Sequence, residues 1–366
     1  MNILIIGEFS GFAKHLKRGF ELLGHRVVIA HTGDGWKGFK PTGQDVLFGV
    51  KNLSIGGHQI GGSWRLNAPK ENRRIISELD RLFPNGIELI ICINYLFLSF
   101  TPFQNGVSIS YIKKCISKGA KLIMTECGAS MAGKYNRKEW FESQGYNTNK
   151  IEESRYTFLL NYSDAIIPTC YTYYDDLLAY NEVHKYTVGK VKKAIPLPIT
   201  IEDNCLVNSC KGRKIVIFHG VNRPLEKGTP FIEEAMNRIA MEFPDRVDCF
   251  CRGGMPYDEY VKLFDKVDIL IDQTYGNGWG MNAIMGAMKG KCVLAPCGSE
   301  NSENMNIPDI PFVQIGPDSD QIYQRIKELV LQPAKIDLIK KESREFAVKH
   351  CECSQIAKRY LETVEL

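Results

Sequence analysis

Little in this sequence is extreme, and each shortage rules something out. Its 46 Lys and Arg against 42 Asp and Glu leave a formal charge of only +4. Nucleic acid is therefore not demanded as a partner, although the mild excess favours anionic ligands and surfaces. No apolar run approaches the ~20 residues of a membrane-spanning helix. The chain opens on a strand-like segment with no signal peptide ahead of it. Cys-x-x-Cys is absent. The twelve cysteines include the i, i+2 pairs Cys249/Cys251 and Cys351/Cys353, without a second pair at zinc spacing. Several sit inside apolar runs such as Ile91-Cys92-Ile93. Free thiols in a reducing cytoplasm are expected, not a disulfide framework. The chain also offers no obvious Asp-x-Asp metal motif.

What is present is an alternation of buried strands and helices. With 366 residues, 44% of them apolar, the chain can build two cores. Met1–Gly7 reads as a buried parallel strand ending in glycine. Helical spacing follows over Phe12–Leu23, then a second strand over Arg26–Ala30. This β-α-β opening announces a doubly wound sheet. Further strands are predicted at Glu88–Ile93, Lys121–Thr125 and Asp164–Pro168, and Asp34–Arg65 reads as mostly loop. Ile195-Pro196-Leu197-Pro198-Ile199 forces an extended connector, after which the alternation restarts. Strands are predicted at Lys214–Phe218, Val247–Cys251, Asp268–Ile271, Lys291–Ala295 and Phe312–Ile315, with helices at about 229–243, 256–266 and 279–289. The fold class is α/β, with two Rossmann-like domains at 1–199 and 200–350 and a C-terminal helical segment at 351–366 packing back on the first.

Three loops carry candidate chemistry. His219-Gly220-Val221-Asn222-Arg223-Pro224-Leu225-Glu226-Lys227-Gly228 leaves a strand and enters a helix, with two cations near the helix N-terminus. That suits a diphosphate; a solvated loop is the bland alternative. Asp272 through Asn282 repeats the strand–loop–helix pattern with Gly276, Gly278 and Gly280 at alternate positions. Successive backbone N–H groups there can form an anion nest; a tight turn with Trp279, Met281, Met285 and Met288 in the core is the alternative. Gly7-Glu8-Phe9-Ser10-Gly11 is a small-residue turn that lets backbone approach a ligand, or a plain strand–helix turn.

These segments together resemble GT-B-fold glycosyltransferases, specifically the retaining family-4 type of bacterial surface-polysaccharide clusters. Leu23-Gly24-His25-Arg26-Val27 is similar to their first helix–strand junction. Tyr162–Ile167 and Ile195–Ile199 resemble the close of their N-terminal domain. Arg223 and Lys227-Gly228 resemble their diphosphate pair, one residue closer together than usual. Asp268–Gln273 through Gly290–Val293 resembles their donor-sugar loop and helix. The resemblance implies a cleft between two domains and transfer of a sugar from a nucleotide donor, UDP- or GDP-linked, to a glycan or lipid-linked acceptor. It also implies retained configuration and no metal or other cofactor. Arg223, Lys227 and Asn277 are then the catalytic candidates. Gly11, Gly220, Arg252, Gly278, Trp279, Gly280, Met281, Asn282 and Met285 are donor-binding candidates, with Arg252 near the base. Asp34 and Glu126, after strands of the first domain, are acceptor candidates; His219 is taken as structural or ligand-positioning.

One departure is plain. The family has two glutamates eight positions apart, and Asn277 and Met285 stand in their places. Asn277 can still bond a sugar hydroxyl, but a thioether cannot hold a ribose. Glu300 is the nearest candidate to replace it. The rival readings are a nucleotide-sugar epimerase on the same scaffold and a non-catalytic transferase-like subunit. A cytoplasmic location is expected, with peripheral membrane contact through Lys14, Lys17 and Arg18 and the apolar Tyr95–Phe100 segment.

Overall fold

The structure, a computed structural model, describes residues 1–33, 44–49, 54–55, 58–59, 64–128, 130–185, 189–202, 208–255 and 257–366. Its contacts divide the chain into two units. One comprises Met1–Thr169, Tyr173–Lys193 and Ala357–Leu366; the other comprises Cys170–Thr172 and Ala194–Ile356.

In the first unit six strands form one parallel sheet. They are β1 (Asn2–Ile6), β2 (Arg26–His31), β3 (Val46–Leu47), β4 (Leu89–Cys92), β5 (Lys121–Glu126) and β6 (Ala165–Pro168). The spatial order is β6-β5-β4-β1-β2-β3. Ile3 lies between Val27 and Leu89, and Ile6 between Ala30 and Cys92. Almost every residue of β1, β4 and β6 is buried, because helices cover both faces of a parallel sheet. The Phe12–Leu22 helix buries Phe12, Leu16 and Phe20 at four-residue spacing, each worth roughly 1.5–3 kcal/mol. Lys17 is also buried and pairs with Asp45 at 2.7 Å. It is therefore not part of the basic surface expected on this helix, where Lys14 and Arg18 are exposed. Between Asp34 and Arg65, where loop is expected, the described residues include β3, a short antiparallel pairing of Ser54–Ile55 with His58–Gln59, and the start of the Trp64–Leu82 helix. At the other end of the chain, Tyr360 of the Cys353–Glu362 helix is buried, its hydroxyl 3.4 Å from Thr125 Oγ1.

The second unit holds β7 (Ile215–Val221), β8 (Val247–Gly253), β9 (Ile269–Ile271), β10 (Cys292–Ala295) and β11 (Val313–Gln314). The sheet is parallel, ordered β8-β7-β9-β10-β11. The predicted strands recur here within a few residues, as do helices at Thr229–Glu242, Tyr257–Lys266 and Met281–Met288. Both sheets reverse their strand order once, the first between β1 and β4 and the second between β7 and β9. Ligands of open α/β sheets bind outside the carboxyl ends of strands at such points. In the second sheet the two strands feed the Arg223–Lys227 loop and the Gly276–Gly280 loop.

The far end of the second sheet is tied by a buried ion cluster. Asp268, just before β9, accepts from Arg213 at 2.6 and 2.7 Å, from Lys340 at 2.7 Å and from the Val216 N–H at 3.0 Å. Burial pushes its carboxyl up, but Arg213, Lys340 and the backbone bond outweigh it and hold the group below the usual range. Because its folded-state pKa lies below the unfolded one, this stabilisation is complete above about pH 4 and disappears as pH falls through the folded value. Asp268→Asn leaves the Lys340 ammonium buried without a counter-charge. Urea unfolding at pH 7 should show a loss of about 3–5 kcal/mol, shrinking as both proteins are taken below about pH 4.

Candidate active site

The Arg223–Lys227 loop folds back on itself before its helix begins. Lys227 N–H donates to the Arg223 carbonyl at 3.0 Å and Thr229 N–H to the Pro224 carbonyl at 2.8 Å. Gly228 sits in the left-handed region at φ 68°, and a Cβ there would lie 1.9 Å from Thr274 Oγ1. Both facts require glycine at this position. Pro230 carries no N–H, and Phe231 and Ile232 donate to the Gly228 carbonyl. The head of the Thr229–Glu242 helix thus has its donors committed. Its contribution to an anion is the dipole field, not free N–H groups.

The second loop is different. Among the described residues the N–H groups of Gly278, Trp279, Met281 and Asn282 make no hydrogen bond, and they cluster at the head of the Met281–Met288 helix. Such a run of open N–H groups can act as an anion nest. Its shape is held by Gln273 Nε2 donating to the Gly278 carbonyl at 3.1 Å. Gly278 is forced by a close approach: a Cβ would lie 2.4 Å from Cys170 Sγ.

Asp272, at the end of β9, joins the two loops. Lys227 Nζ donates to Asp272 Oδ1 at 3.0 Å and to its carbonyl at 3.2 Å, while Gly280 N–H donates to Asp272 Oδ2 at 2.7 Å. Both side chains are buried. Burial pushes the Asp272 carboxyl up, but Lys227 and the Gly280 N–H hold it below the usual range. Beside them, His219 lies wholly buried between the Ile271 carbonyl and the Thr229 hydroxyl, each 2.9 Å away. Burial lowers its pKa to about 4. The ring is therefore neutral at pH 7, Nδ1–H donating to Ile271 and Nε2 accepting from Thr229. It is a strut between β7, β9 and the helix, not a proton carrier.

The other sequence candidates divide. Arg223 is half-exposed and pairs with Glu226 at 3.0 Å. Gly220 lies at the end of β7 above Phe218 and Tyr260. Arg252 is exposed over the Phe250 ring and lines a groove of about 410 Å³ with Cys251, Gly253, Met255 and Glu259. Asn282 accepts from the Tyr260 hydroxyl at 2.7 Å. The Trp279 indole belongs to the core, stacked edge-on against Phe312 and Phe346, and Met281 is buried. These two offer a ligand their backbone, not their side chains. Met285 packs against the apolar cluster of Phe218, Phe264, Val267 and Leu270. A carboxylate there would be desolvated rather than welcomed.

Several expectations need correction. The Asn277 amide is largely committed within its own unit. Its oxygen accepts from Gly298 N–H at 2.9 Å and Asn301 Nδ2 at 2.5 Å, and its nitrogen donates to Glu300 at 2.9 Å. Its backbone pairs with Thr172. One amide N–H is left for a ligand, and Glu300 is engaged here rather than beside Met285. The Gly11 N–H is taken by Glu8 Oε1 at 2.8 Å. Glu126 is turned inward, accepting from Tyr156 at 3.1 Å. Burial raises its pKa to about 8, only partly offset by Ser130 and Tyr156, so it is a buried, protonated carboxyl unable to meet an acceptor hydroxyl. Asp34 lies outside the described residues. The triplet Asp318-Ser319-Asp320 does have Asp-x-Asp spacing, but Asp318 caps the Ser319–Leu331 helix and Asp320 pairs with Arg238. Among the described residues no three His, Cys, Asp or Glu side chains are grouped to hold a metal. Asp272, Gln273 and Thr274 were missed as individuals. The signal available was a carboxylate placed directly at the end of an all-apolar strand, where ligands of this topology sit.

No family model matches the chain, and no curated protein matches it in sequence. Solved structures do match, over its full length. A glycosyltransferase from Rickettsia africae ESF-5 is 15% identical with a TM-score of 0.55, covering 100% of this chain and 97% of the other. Anabaena Alr3699/HepE in complex with UDP is 11% identical with a TM-score of 0.58, covering all of both chains. A candidate UDP-N-acetylglucosamine 2-epimerase from Listeria monocytogenes is 11% identical with a TM-score of 0.50, covering 100% and 95%. The chain thus has the mixed α/β fold of GT-B glycosyltransferases.

The buried neutral His219 generates a pH test. Its folded pKa of about 4 lies below the unfolded value near 6.5. Stability is therefore full above about pH 6.5 and is lost as pH falls towards 4. Between pH 7 and pH 5 this group should remove about 2 kcal/mol. Chemical denaturation of wild type and His219→Asn at both pH values measures it. An equal pH response in the two proteins would contradict the neutral strut.

Proposed function

We propose that this protein is a glycosyltransferase, moving a sugar from a nucleoside-diphosphate donor to a glycan or lipid-linked acceptor in surface-polysaccharide synthesis. The observation that carries the reading is the convergence at one strand-order reversal of the Lys227 ammonium, the Arg223 loop and a nest of unpartnered N–H groups. Donor diphosphate would sit against these groups, and the base along the groove beside Arg252. In the reaction the bond between the anomeric carbon and the diphosphate oxygen breaks, and the acceptor oxygen bonds to that carbon while its hydroxyl proton passes to the departing diphosphate oxygen. Charge grows on the departing diphosphate. Preorganised donors in a site of low dielectric lower that cost most effectively. Lys227, Arg223, the nest and the two helix heads supply the positive potential, so the reaction is expected to need no metal or other cofactor. By resemblance the anomeric configuration is retained. Of the two acceptor candidates only Asp34 stays in the proposal.

Arg223→Ala should lower turnover about a hundredfold with an unchanged melting temperature, because a half-exposed ion pair adds little to stability. Turnover of the wild type should persist in EDTA. Lys227→Ala is a poorer probe, since it strands the Asp272 carboxylate. Product analysis without added acceptor separates the epimerase reading, which needs none. Normal turnover in Arg223→Ala, or a strict Mg²⁺ requirement, would overturn the assignment.

The lipid-linked acceptor implies a cytoplasmic protein that touches the inner membrane face. No described helix is long and apolar enough to cross a membrane. Of the apolar segment, Tyr95, Phe97 and Leu98 are core, but Leu96, Phe100 and nearby Phe103 are exposed, a set that can enter an interface. The protein should float with vesicles containing anionic lipid at low salt, and Phe100→Ser/Phe103→Ser should not. Failure of the wild type to float removes the membrane reading while leaving the transferase reading intact.

A further inference from the structure

The donor loops contain a carboxylate where an anion is to bind, and its position calls for an explanation. Asp272 is fully buried at the end of a β-strand, and Lys227 is 6% exposed. An ammonium that far from water is costly unless a counter-charge accompanies it. Of its three N–H donors, one goes to Asp272 Oδ1 and one to the Asp272 carbonyl. One is left over. Asp272 Oδ2 meanwhile holds the Gly280 N–H at 2.7 Å, the first donor of the helix head that carries the nest. A further tie, Thr274 N–H to the Lys227 carbonyl at 3.1 Å, binds the same two loops through backbone.

We propose that Asp272 is the positioning residue of the donor site: it supplies the counter-charge that anchors and aims Lys227, with one N–H left for the leaving diphosphate, and sets the nest through Gly280. The inference rests on reading these loops as the diphosphate site. A carboxylate on the first residue after a strand is held more rigidly than one further out on a loop, so both halves of the site are referenced to the sheet. Thr274 Oγ1, buried without a partner and packed on Gly228, is a polar atom at the same joint. Among the described residues the other titratable or charged neighbours named at this joint are the neutral His219, and Arg223 with Glu226 on the Lys227 loop. His219 stays neutral above pH 6, so it adds no titration to the test below.

A structural ion pair and a positioning pair predict different pH behaviour. The experiment is calorimetric binding of UDP, with GDP in parallel, to wild type, Asp272→Asn, Asp272→Glu and Lys227→Met/Asp272→Asn. It runs from pH 7 to pH 9.5, above the second ionisation of the diphosphate near pH 6. Thermal melts are recorded throughout. Wild type, with the ion pair intact, should hold its affinity within about threefold across the range. Asp272→Asn should weaken about tenfold or more as pH rises, because its unpaired lysine loses the proton. Its melting temperature should rise over the same range, as the buried charge disappears. Asp272→Glu should restore the flat profile. The double variant should melt higher than Asp272→Asn and bind weakly at every pH. A folded Asp272→Asn whose affinity tracks wild type across the range overturns the proposal. If Asp272→Asn does not fold, the double variant decides: binding as tight as wild type overturns it, and a loss of tenfold or more supports it. Absence of UDP and GDP binding by wild type instead overturns the donor-site reading itself.

Discussion

The contact on which the candidate site depends is a single buried carboxylate bonded in two directions. Asp272 takes the Lys227 ammonium on one oxygen and the Gly280 N–H on the other. Lys227 belongs to the loop after β7, and Gly280 to the loop after β9. The second loop has three glycines and the first ends in one, and surface loops are the more mobile parts of a fold. Tied to one residue at a strand end, they become parts of one site. Buried ion pairs of this kind add little net stability, yet breaking one side costs several kcal/mol. That asymmetry means both partners must be present together, whatever else the loops do.

The two units show how topology differs from chemistry. Each has an open parallel sheet with one reversal of strand order, the place where such folds take ligands. In the first unit that place is filled by the chain's own groups. Glu8 lies across the head of the Phe12–Leu22 helix, accepting from Gly11 and Lys14 N–H at 2.8 and 2.9 Å. Phe9 and Phe97 pack their rings 5.1 Å apart nearby. A helix N-terminus that already carries a carboxylate has little left for a phosphate. In the second unit the nest donors have no partner among the described residues. Open donors for an anion are therefore found in the second unit, although both sheets have the topology for them.

The departures at positions 277 and 285 take on physical meaning in the same way. Asn277 joins Thr172, Gly298, Glu300 and Asn301 through five hydrogen bonds. A glutamate in that place could accept but could not donate to Glu300, and two carboxylates would repel. Met285 fills a gap beside Phe218 and Phe264, where a flexible thioether packs well. Both residues suit their surroundings. They read as a rebuilt loop, not as a site decaying at random.

Much of this was open to the sequence. Continuous apolar runs such as Ile3–Ile6 and Ile269–Ile271 are too short for helices and read as strands covered on both faces, and their alternation with amphipathic helices points to parallel sheets. Glycines at alternate positions before a helix announce a nest, and Arg223 and Lys227 announce an anion. Local composition carries such features because they arise from neighbours a few residues apart. What the sequence could not show was which groups meet across long separations. Lys227 and Asp272 are 45 residues apart, Tyr156 and Glu126 are 30 apart, and Asn277 and Thr172 are 105 apart. Each pairing changes a side chain's role: a free cation becomes an anchored one, an acceptor carboxylate becomes a buried acid, and a sugar ligand becomes a joint. Charge and hydrogen-bonding capacity are written in the residue type. Whether that capacity is already taken, and whether water can reach it, depends on packing that only the folded chain creates.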